Sequence, residues 1–262
     1  MIDKFNNNKL FPHRIIHQQF IKGEKLVVKE SATFRWFEYA GCSIQSIMSL
    51  ANPVQIIMPV THSFLLFLLI NPKALNILNL GLGGAALERC LGQYSELSIT
   101  SIESSPSIVD MAKEYFLLTN QSNVICTTAE EFVVSSNQQY DAILSDLFIG
   151  EQGSSCLLEE QFYQQLINIT TENGLVLINL YVENDQKLTD ILLTIRKYFS
   201  YLALVEFKDF SNIVVIASRV EITSQQQLKK NRLLFTEMDW QEIDDIIEQI
   251  TYLPACNNYR CD

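Results

Sequence analysis

The stretch ILNLGLGGAAL (77–87), followed by SIE (101–103), decides the fold class. An apolar run leads into Gly81 and Gly83, and Ala86 completes the spacing G-x-G-x-x-A at the start of a helical pattern. This order predicts a buried strand, a tight turn whose backbone a ligand can approach, and a helix with free N–H groups at its start. The alternative is a turn that serves the fold alone.

Glu103 ends the next apolar run, 20 residues beyond Gly83. A carboxylate at that place can accept hydrogen bonds from both hydroxyls of a ribose, and each such bond contributes roughly 1.5–3 kcal/mol. The turn and the acid together predict a nucleoside pocket. In the alternative, Glu103 is only a solvated strand end.

Strand and helix patterns alternate from Pro72 onward. The runs that predict strands are residues 75–80, 97–103, 124–126, 140–146 and 174–182, and the amphipathic runs that predict helices include 158–169 and 185–199. Strands that are apolar throughout and alternate with helices form a parallel sheet covered on both faces.

The two closing strands, YLALVEF (201–207) and NIVVIAS (212–218), are separated by only four residues. Two parallel strands cannot be joined over that length, so the last strand must run antiparallel. The predicted fold class is therefore α/β, with a seven-stranded methyltransferase-like (Rossmann-like) sheet and a terminal antiparallel hairpin. A dinucleotide oxidoreductase fold would need another crossover at this point.

Short strand patterns between residues 25 and 48 predict a small antiparallel sheet before this unit. We expect a small N-terminal β-domain over residues 1–52 and a nucleoside-binding domain over 53–262. THSFLLFLLI (61–70) predicts a buried helix, and MDWQEIDDIIEQI (238–250) predicts a closing helix with Trp240 and Ile250 among its inward residues.

The charge balance argues against a nucleic-acid partner. Lys and Arg total 19 against 30 Asp and Glu, which gives a net charge of −11 and a surface that repels phosphates. The longest apolar run, residues 64–70, is too short to span a membrane. Six scattered cysteines with no CxxC pair and a polar N-terminus predict a cytoplasmic protein. The three histidines show no metal-ligand spacing, so we expect no metal.

Two further positions follow predicted strands. Asp146 ends the apolar run AILSD (142–146), and ligands of open parallel sheets sit beyond such ends, so we expect Asp146 to face the same crevice as Gly81 and Glu103. Thr128, with Ala129 beside it, follows the third strand, where an adenine edge would lie. The alternatives are an Asp that caps a turn and a hydroxyl that satisfies local backbone.

The sequence resembles the spermidine synthase family, especially its bacterial spermidine synthase-like branch. The segments that carry the resemblance run from about residue 33 to 218: FEYAGCSIQSIMSLANP, ILNLGLGGAALERCL, SIESSPSIVDMAKEYF, YDAILSDLF and FYQQLINITTENGLVLINL. The resemblance implies a polyamine aminopropyltransferase that binds decarboxylated S-adenosylmethionine, takes an amine as second substrate and forms a homodimer.

The resemblance also implies roles for individual residues. Gln45 matches a glutamine near the sulfonium nucleoside, Glu103 matches the ribose-binding acid, and Asp146 matches the Asp taken as general base in the family's D-x-x-D motif. Gly81 and Gly83 would form the nucleoside-binding turn.

Four positions depart from the family pattern. The Asp that grips the aminopropyl amine is Gly84 here, and the second Asp of D-x-x-D is Ile149. Thr128 stands where an Asp meets the adenine, and Val60 where a tyrosine lies on the substrate side. Two alternatives therefore stay open, an S-adenosylmethionine-dependent methyltransferase and a non-catalytic relative that binds a nucleoside or a partner.

Overall fold

The structure is a computed structural model, and it describes residues 12–41, 44–149, 152–181, 184–208, 211–235 and 243–255. The chain begins with a four-stranded antiparallel sheet of consecutive strands. Its strands are β1 (Arg14–Ile21), β2 (Glu24–Glu30), β3 (Phe34–Tyr39) and β4 (Ile44–Ser49). The predicted small sheet is confirmed, and β1 was missed because polar residues break its apolar alternation. The domain boundary at residue 52 stays a prediction.

The second part of the chain alternates strands and helices. In chain order its elements are α1 (Pro59–Ser63), α2 (Leu66–Ile70), β5 (Asn76–Leu80), α3 (Ala86–Leu91), β6 (Ser98–Glu103), α4 (Pro106–Tyr115), β7 (Asn123–Cys126), α5 (Ala129–Ser135), β8 (Tyr140–Ser145), β9 (Phe148–Ile149), β10 (Gln152–Gly153), α6 (Glu160–Asn168), β11 (Thr170–Tyr181), α7 (Asp185–Arg196), β12 (Tyr201–Glu206), β13 (Asn212–Ser218), α8 (Gln225–Asn231), α9 (Ile243–Glu248) and β14 (Ile250–Tyr252).

The large sheet has the strand order β14-β12-β13-β11-β8-β5-β6-β7. The pairs from β11 through β7 are parallel, whereas β13 runs antiparallel to both β11 and β12. The predicted α/β class and the antiparallel closing hairpin are confirmed.

The C-terminal part differs from its prediction in one respect. Ile250, predicted to lie inside a closing helix, begins the short edge strand β14 and pairs with Val205, which makes the sheet eight-stranded. The helix itself is present as α9, and Trp240 lies outside the described residues. The apolar run 61–70 forms two short buried helices, α1 and α2, in place of one.

Both faces of the large sheet are covered. One face packs against α1, α2, α8 and α9, and the other against α5, α6 and α7. A third cluster joins the small sheet to α4, with the Phe37 and Phe116 ring centroids 5.8 Å apart. In the described part of the chain, every helix is too short or too polar to cross a membrane.

Gly81 directly follows β5, which lies between β6 and β8 in the sheet. Its N–H donates to the Ile102 carbonyl at 2.9 Å, and the Asp146 N–H donates to the Leu80 carbonyl at 2.9 Å. Its φ is +103°, and a Cβ here would lie well inside 3.0 Å of the Asp146 carbonyl oxygen. Only glycine tolerates both this positive φ and the close approach of the Asp146 carbonyl. The fold itself therefore requires glycine at this turn, whether or not a ligand binds there.

Replacing this glycine should cost more than replacing its neighbour in the same loop. Gly81→Ala should lower the free energy of unfolding by about 2–4 kcal/mol, since it adds backbone strain to a backbone clash. Gly83→Ala is the matched control, because φ is +51° there and no described atom lies within 4 Å of an added Cβ. It should cost about 1 kcal/mol. Urea unfolding of the two variants checks this, and equal costs would contradict the contact argument.

Candidate functional site

A cavity of about 610 Å³ opens at the carboxyl ends of β5, β6 and β8, with β3 and β4 of the small sheet on its other side. The structure brings all of the predicted site residues to its wall: Gln45, Gly81, Gly83, Glu103, Thr128, Ala129 and Asp146. Their roles stay predictions, but their common location follows from the sheet order, in which β5 lies between β6 and β8.

Glu103 is the last residue of β6, and its carboxylate turns back towards the glycine loop. Oε1 accepts the N–H of Ser105 at 2.9 Å. Burial raises the pKa of Glu103, and the N–H groups of Ser105, Gly83, Leu82 and Ser104 oppose that rise. These amides fix the side chain, so a ligand hydroxyl would meet an acceptor that is already oriented.

Asp146 directly follows β8 on the other side of Gly81. Burial raises the pKa of its carboxyl, and the single hydrogen bond from Asn179 Nδ2 to Oδ1, at 2.8 Å, only partly opposes this. A carboxyl held in a cavity with a raised pKa is suited to take a proton from a substrate near neutral pH.

Asn79, Asn179 and Asn212 also line this cavity, and the sequence analysis did not select them. Each lies in or beside an apolar run of its strand: ILNL in β5, LVLINL in β11 and NIVVIA in β13. A buried amide in such a strand must be hydrogen-bonded or it costs stability, so its presence in an apolar run was a usable signal.

Thr128 performs the local role that was its alternative interpretation. It is the N-cap of α5, its Oγ1 accepts the Glu131 N–H at 3.2 Å, and Glu131 bonds back to the Thr128 backbone. This capping box explains the residue without a ligand. Thr128 still borders the cavity, and Ala129 is the buried first residue of the helix.

Gly84 lies against the small sheet. A Cβ at this position would be 2.8 Å from Ser46 Cβ and closer still to Ser46 Oγ. An acidic side chain at 84 would therefore have to displace β4. The packing of Gly84 against the small sheet thus excludes the Asp that the family pattern has at this position.

Two other positions that depart from the family pattern are Val60 and Ile149. Val60, in α1, is buried and lines the cavity, so an apolar side chain stands where the resemblance implies a tyrosine. The backbone of Ile149 belongs to β9, and its side chain lies outside the described part of the structure. Within the described residues no group of three His, Cys, Asp or Glu side chains could hold a metal ion.

Sequence comparison links the chain to aminopropyltransferases. It is 26% identical over 233 residues to the polyamine aminopropyltransferase of Vibrio vulnificus, across 82% of this chain and 76% of that protein. It is 24% identical over 156 residues to the one from Chromobacterium violaceum, of whose length the match spans 60%. No family model matches the chain.

Structural comparison shows which solved proteins share this fold. A probable spermidine synthase from Corynebacterium glutamicum superposes with a TM-score of 0.74 at 14% identity, over 92% of this chain and 91% of that one. Spermidine synthase from Thermotoga maritima gives 0.62 at 15% identity, over 89% and 78%. The chain is similar in fold to these spermidine synthases. The human methyltransferase-like protein 13, in complex with SAH, gives 0.58 at 18% identity over 78% of this chain, which shows how widely this fold is used.

The raised pKa of Asp146 has a consequence for stability. An unfolded Asp loses its proton near the ordinary value of 3.8, whereas the folded chain holds it to higher pH. The folded state is therefore favoured below pH 3.8 and loses that advantage as pH rises. Asp146→Asn should raise the Tm at pH 7–8 by about 2–4 °C, or about 1 kcal/mol.

The gain should shrink as the pH falls towards 4, which thermal unfolding at several pH values will show. Asp110→Asn removes one carboxylate from the exposed face of α4 and is the control. A gain for Asp146→Asn that stayed constant across this pH range would mean that burial of the charge is not its cause.

Proposed function

We propose that the chain is a spermidine synthase-like transferase, which binds decarboxylated S-adenosylmethionine and transfers its aminopropyl group to an amine. The observation that carries this proposal is one cavity in which Glu103 and Asp146 lie on either side of the Gly81 turn. The curated relatives named polyamine aminopropyltransferase support the same reaction class. An amine as second substrate, a homodimer and a cytoplasmic location belong to this proposal.

The nucleoside would lie over the glycine loop. Glu103 would accept the ribose hydroxyls with the lone pairs that its backbone partners, such as the Ser105 N–H at Oε1, leave available. The adenine would lie towards Thr128 and Ala129, at the start of α5. Gln45, in β4, would approach the sulfonium end from the small sheet.

The reaction is a displacement at the carbon bound to the sulfonium sulfur. A new N–C bond forms as the C–S bond breaks, and methylthioadenosine leaves with the electron pair. The amine must first lose a proton, which for a pKa near ~10.4 costs about 4–5 kcal/mol at neutral pH. Asp146 would take that proton, and its raised pKa improves the match with the amine. These steps need no metal.

One observation keeps methyl transfer as a second candidate. Gly84 and Ser46 fill the space where a carboxylate would grip the aminopropyl amine, and without that acid the site has less reason to reject the carboxylate of S-adenosylmethionine itself. A third candidate function is nucleoside binding without catalysis. Turnover assays distinguish it from aminopropyl transfer and from methyl transfer.

Nucleoside binding should depend on Glu103. Glu103→Gln should weaken binding of methylthioadenosine by roughly 1–3 kcal/mol, because a charged acceptor becomes neutral. Titration calorimetry measures this, with Glu96→Gln as the control, since Glu96 is an exposed carboxylate in the loop before β6. Equal affinity of Glu103→Gln and the parent protein would place the ribose elsewhere. A thermal-shift response to NAD alone would contradict the nucleoside class.

Asp146 should affect the rate of the reaction, whereas Glu103 should affect binding of the nucleoside. Mass spectrometry should detect aminopropyl transfer from decarboxylated S-adenosylmethionine to an amine. Asp146→Asn should lower kcat about 10²–10⁴-fold with a smaller change in the nucleoside KM, because it removes the base and leaves the ribose contacts. Methylation of an acceptor by S-adenosylmethionine, with no aminopropyl transfer, would establish the second candidate. No turnover with either donor, alongside intact nucleoside binding, would establish the third.

A further inference from the structure

Asn179 lies level with Asp146 on the neighbouring strand. In the parallel pair β8–β11, Ser145 is opposite Ile178, so the residues that follow them, Asp146 and Asn179, are neighbours at the carboxyl end of the sheet. Asn179 is only 4% exposed, and its Nδ2 donates to Asp146 Oδ1 at 2.8 Å. This bond engages one carboxyl oxygen, and the other, Oδ2, can then take a proton from a substrate in the cavity.

The amide of Asn179 has a second partner on its other side. Asn212, the first residue of β13, donates from its Nδ2 to Asn179 Oδ1 at 3.0 Å. The contact is diagonal, because the register of β11 against β13 places Asn212 opposite Tyr181. Both ends of the buried amide are therefore hydrogen-bonded, by side chains from the strands on either side of β11.

An amide can turn either end towards a carboxyl, and the two ends have opposite effects. The NH2 group donates to a carboxylate and stabilises its ionised form, whereas the carbonyl oxygen would repel that form. If the amide of Asn179 were rotated, its NH2 group would face the NH2 group of Asn212 and the hydrogen bond between them would be lost. The contact with Asn212 therefore keeps the donor of Asn179 directed at Asp146.

Packing alone does not require a polar side chain at position 179. Its neighbours in β11, Ile178 and Leu180, are buried and apolar, and an apolar residue at 179 would need no hydrogen-bond partner. It would, however, take away the donor that favours the ionised form of Asp146. A general base must be ionised before it can accept a proton, so the buried amide serves the proposed chemistry in a way that a leucine could not.

We propose that Asn179 is a positioning residue for the general base Asp146, and that Asn212 fixes the amide of Asn179 in the orientation this requires. The proposal rests on the proposed function and adds two residues to it. Asn179 acts through the carboxyl of Asp146, and Asn212 acts through Asn179.

Replacing Asn179 should change the pH dependence of the reaction. Burial raises the pKa of Asp146 and the bond from Asn179 opposes that rise, so Asn179→Leu should raise this pKa further. A base with a higher pKa is ionised only at higher pH. The acidic limb of kcat against pH should therefore move up by about one pH unit, with kcat about tenfold lower at a pH below the limb. The KM for the nucleoside donor should stay near the parental value, since Glu103 and the glycine loop are unchanged.

A matched control separates this effect from the loss of any strand asparagine. Asn123→Leu removes an amide that donates to Thr100 Oγ1 at 2.9 Å across the β6–β7 pair, outside the cavity, and should keep the parental profile. The other titratable side chains on the described wall of the cavity are unchanged in both variants: Lys22, Tyr39, Glu103, Glu130 and Tyr181. A parental profile for Asn179→Leu, in protein that circular dichroism shows to be folded, overturns the proposal. An equal shift in the control also overturns it.

Replacing Asn212 tests the orientation step. Asn212→Leu removes the donor to Asn179 Oδ1 and should move the acidic limb in the same direction by a smaller amount, whereas Asn212→Gln keeps a primary amide and should restore most of the shift. A parental profile for Asn212→Leu overturns the role given to Asn212. A shift in Asn212→Gln as large as that in Asn212→Leu overturns it as well, since the amide would then not be what matters.

Failure of the proposed function can be told apart from failure of this proposal. If the parent protein transfers no aminopropyl group, the ionisation of Asp146 can still be followed by carbon NMR of the aspartate carboxyl groups, with its resonance assigned by its loss in Asp146→Asn. A higher pKa of Asp146 in Asn179→Leu than in the parent protein supports the positioning role. An equal or lower pKa overturns it.

Discussion

The site depends on the contact between Gly81 and the backbone of Asp146. Two backbone hydrogen bonds, from Gly81 to Ile102 and from Asp146 to Leu80, hold the carboxyl ends of β5, β6 and β8 together at the same edge of the sheet. Glycine is required because any Cβ would collide with the Asp146 carbonyl. This contact places one carboxyl at the end of β6 and the other at the end of β8, on opposite sides of a single cavity.

Buried polar side chains beneath the glycine loop support that arrangement. Arg89 donates to the carbonyls of Pro53, Gly84 and Phe116, which joins the segment after the small sheet, the loop and the end of α4. Burial lowers the pKa of Arg89 to about 10. Glu88, whose pKa burial raises, accepts from Asn79 and Ser101. Removing Glu88 would take the acceptor from Asn79 and Ser101, and removing Arg89 would take the donor from three carbonyls, so buried side chains hold the loop in addition to its backbone contacts.

The sequence predicted the fold class because its signals were local and repeated. Apolar runs followed by amphipathic helices specify a parallel sheet, and a four-residue link specifies an antiparallel strand. Strand β14 could not be predicted, because its three residues are too few to show the alternation of apolar and polar side chains that indicates a strand. The glycine spacing located Gly81, Glu103 and Asp146 together. The hydrogen bond between Asn179 and Asn212 was not predicted, because this diagonal contact depends on the register of β11 against β13, in which Asn179 pairs with Val214 and Asn212 with Tyr181, and no local pattern contains that register.

The carboxyl of Asp146 lies half-buried at the end of an apolar strand, where a charge is costly, and the structure shows how the fold holds it. An apolar residue at the end of β8 would need no partner, whereas Asp146 requires the Asn179 donor, and Asn179 in turn requires Asn212. Asn79, on the other flank, is oriented by Glu88 and retains a buried acceptor. Four strands thus carry polar groups where hydrophobic ones would pack better. Such local costs concentrate at functional sites, and here all of them face one cavity. The polar row at the end of an apolar sheet is therefore best explained by chemistry performed in that cavity.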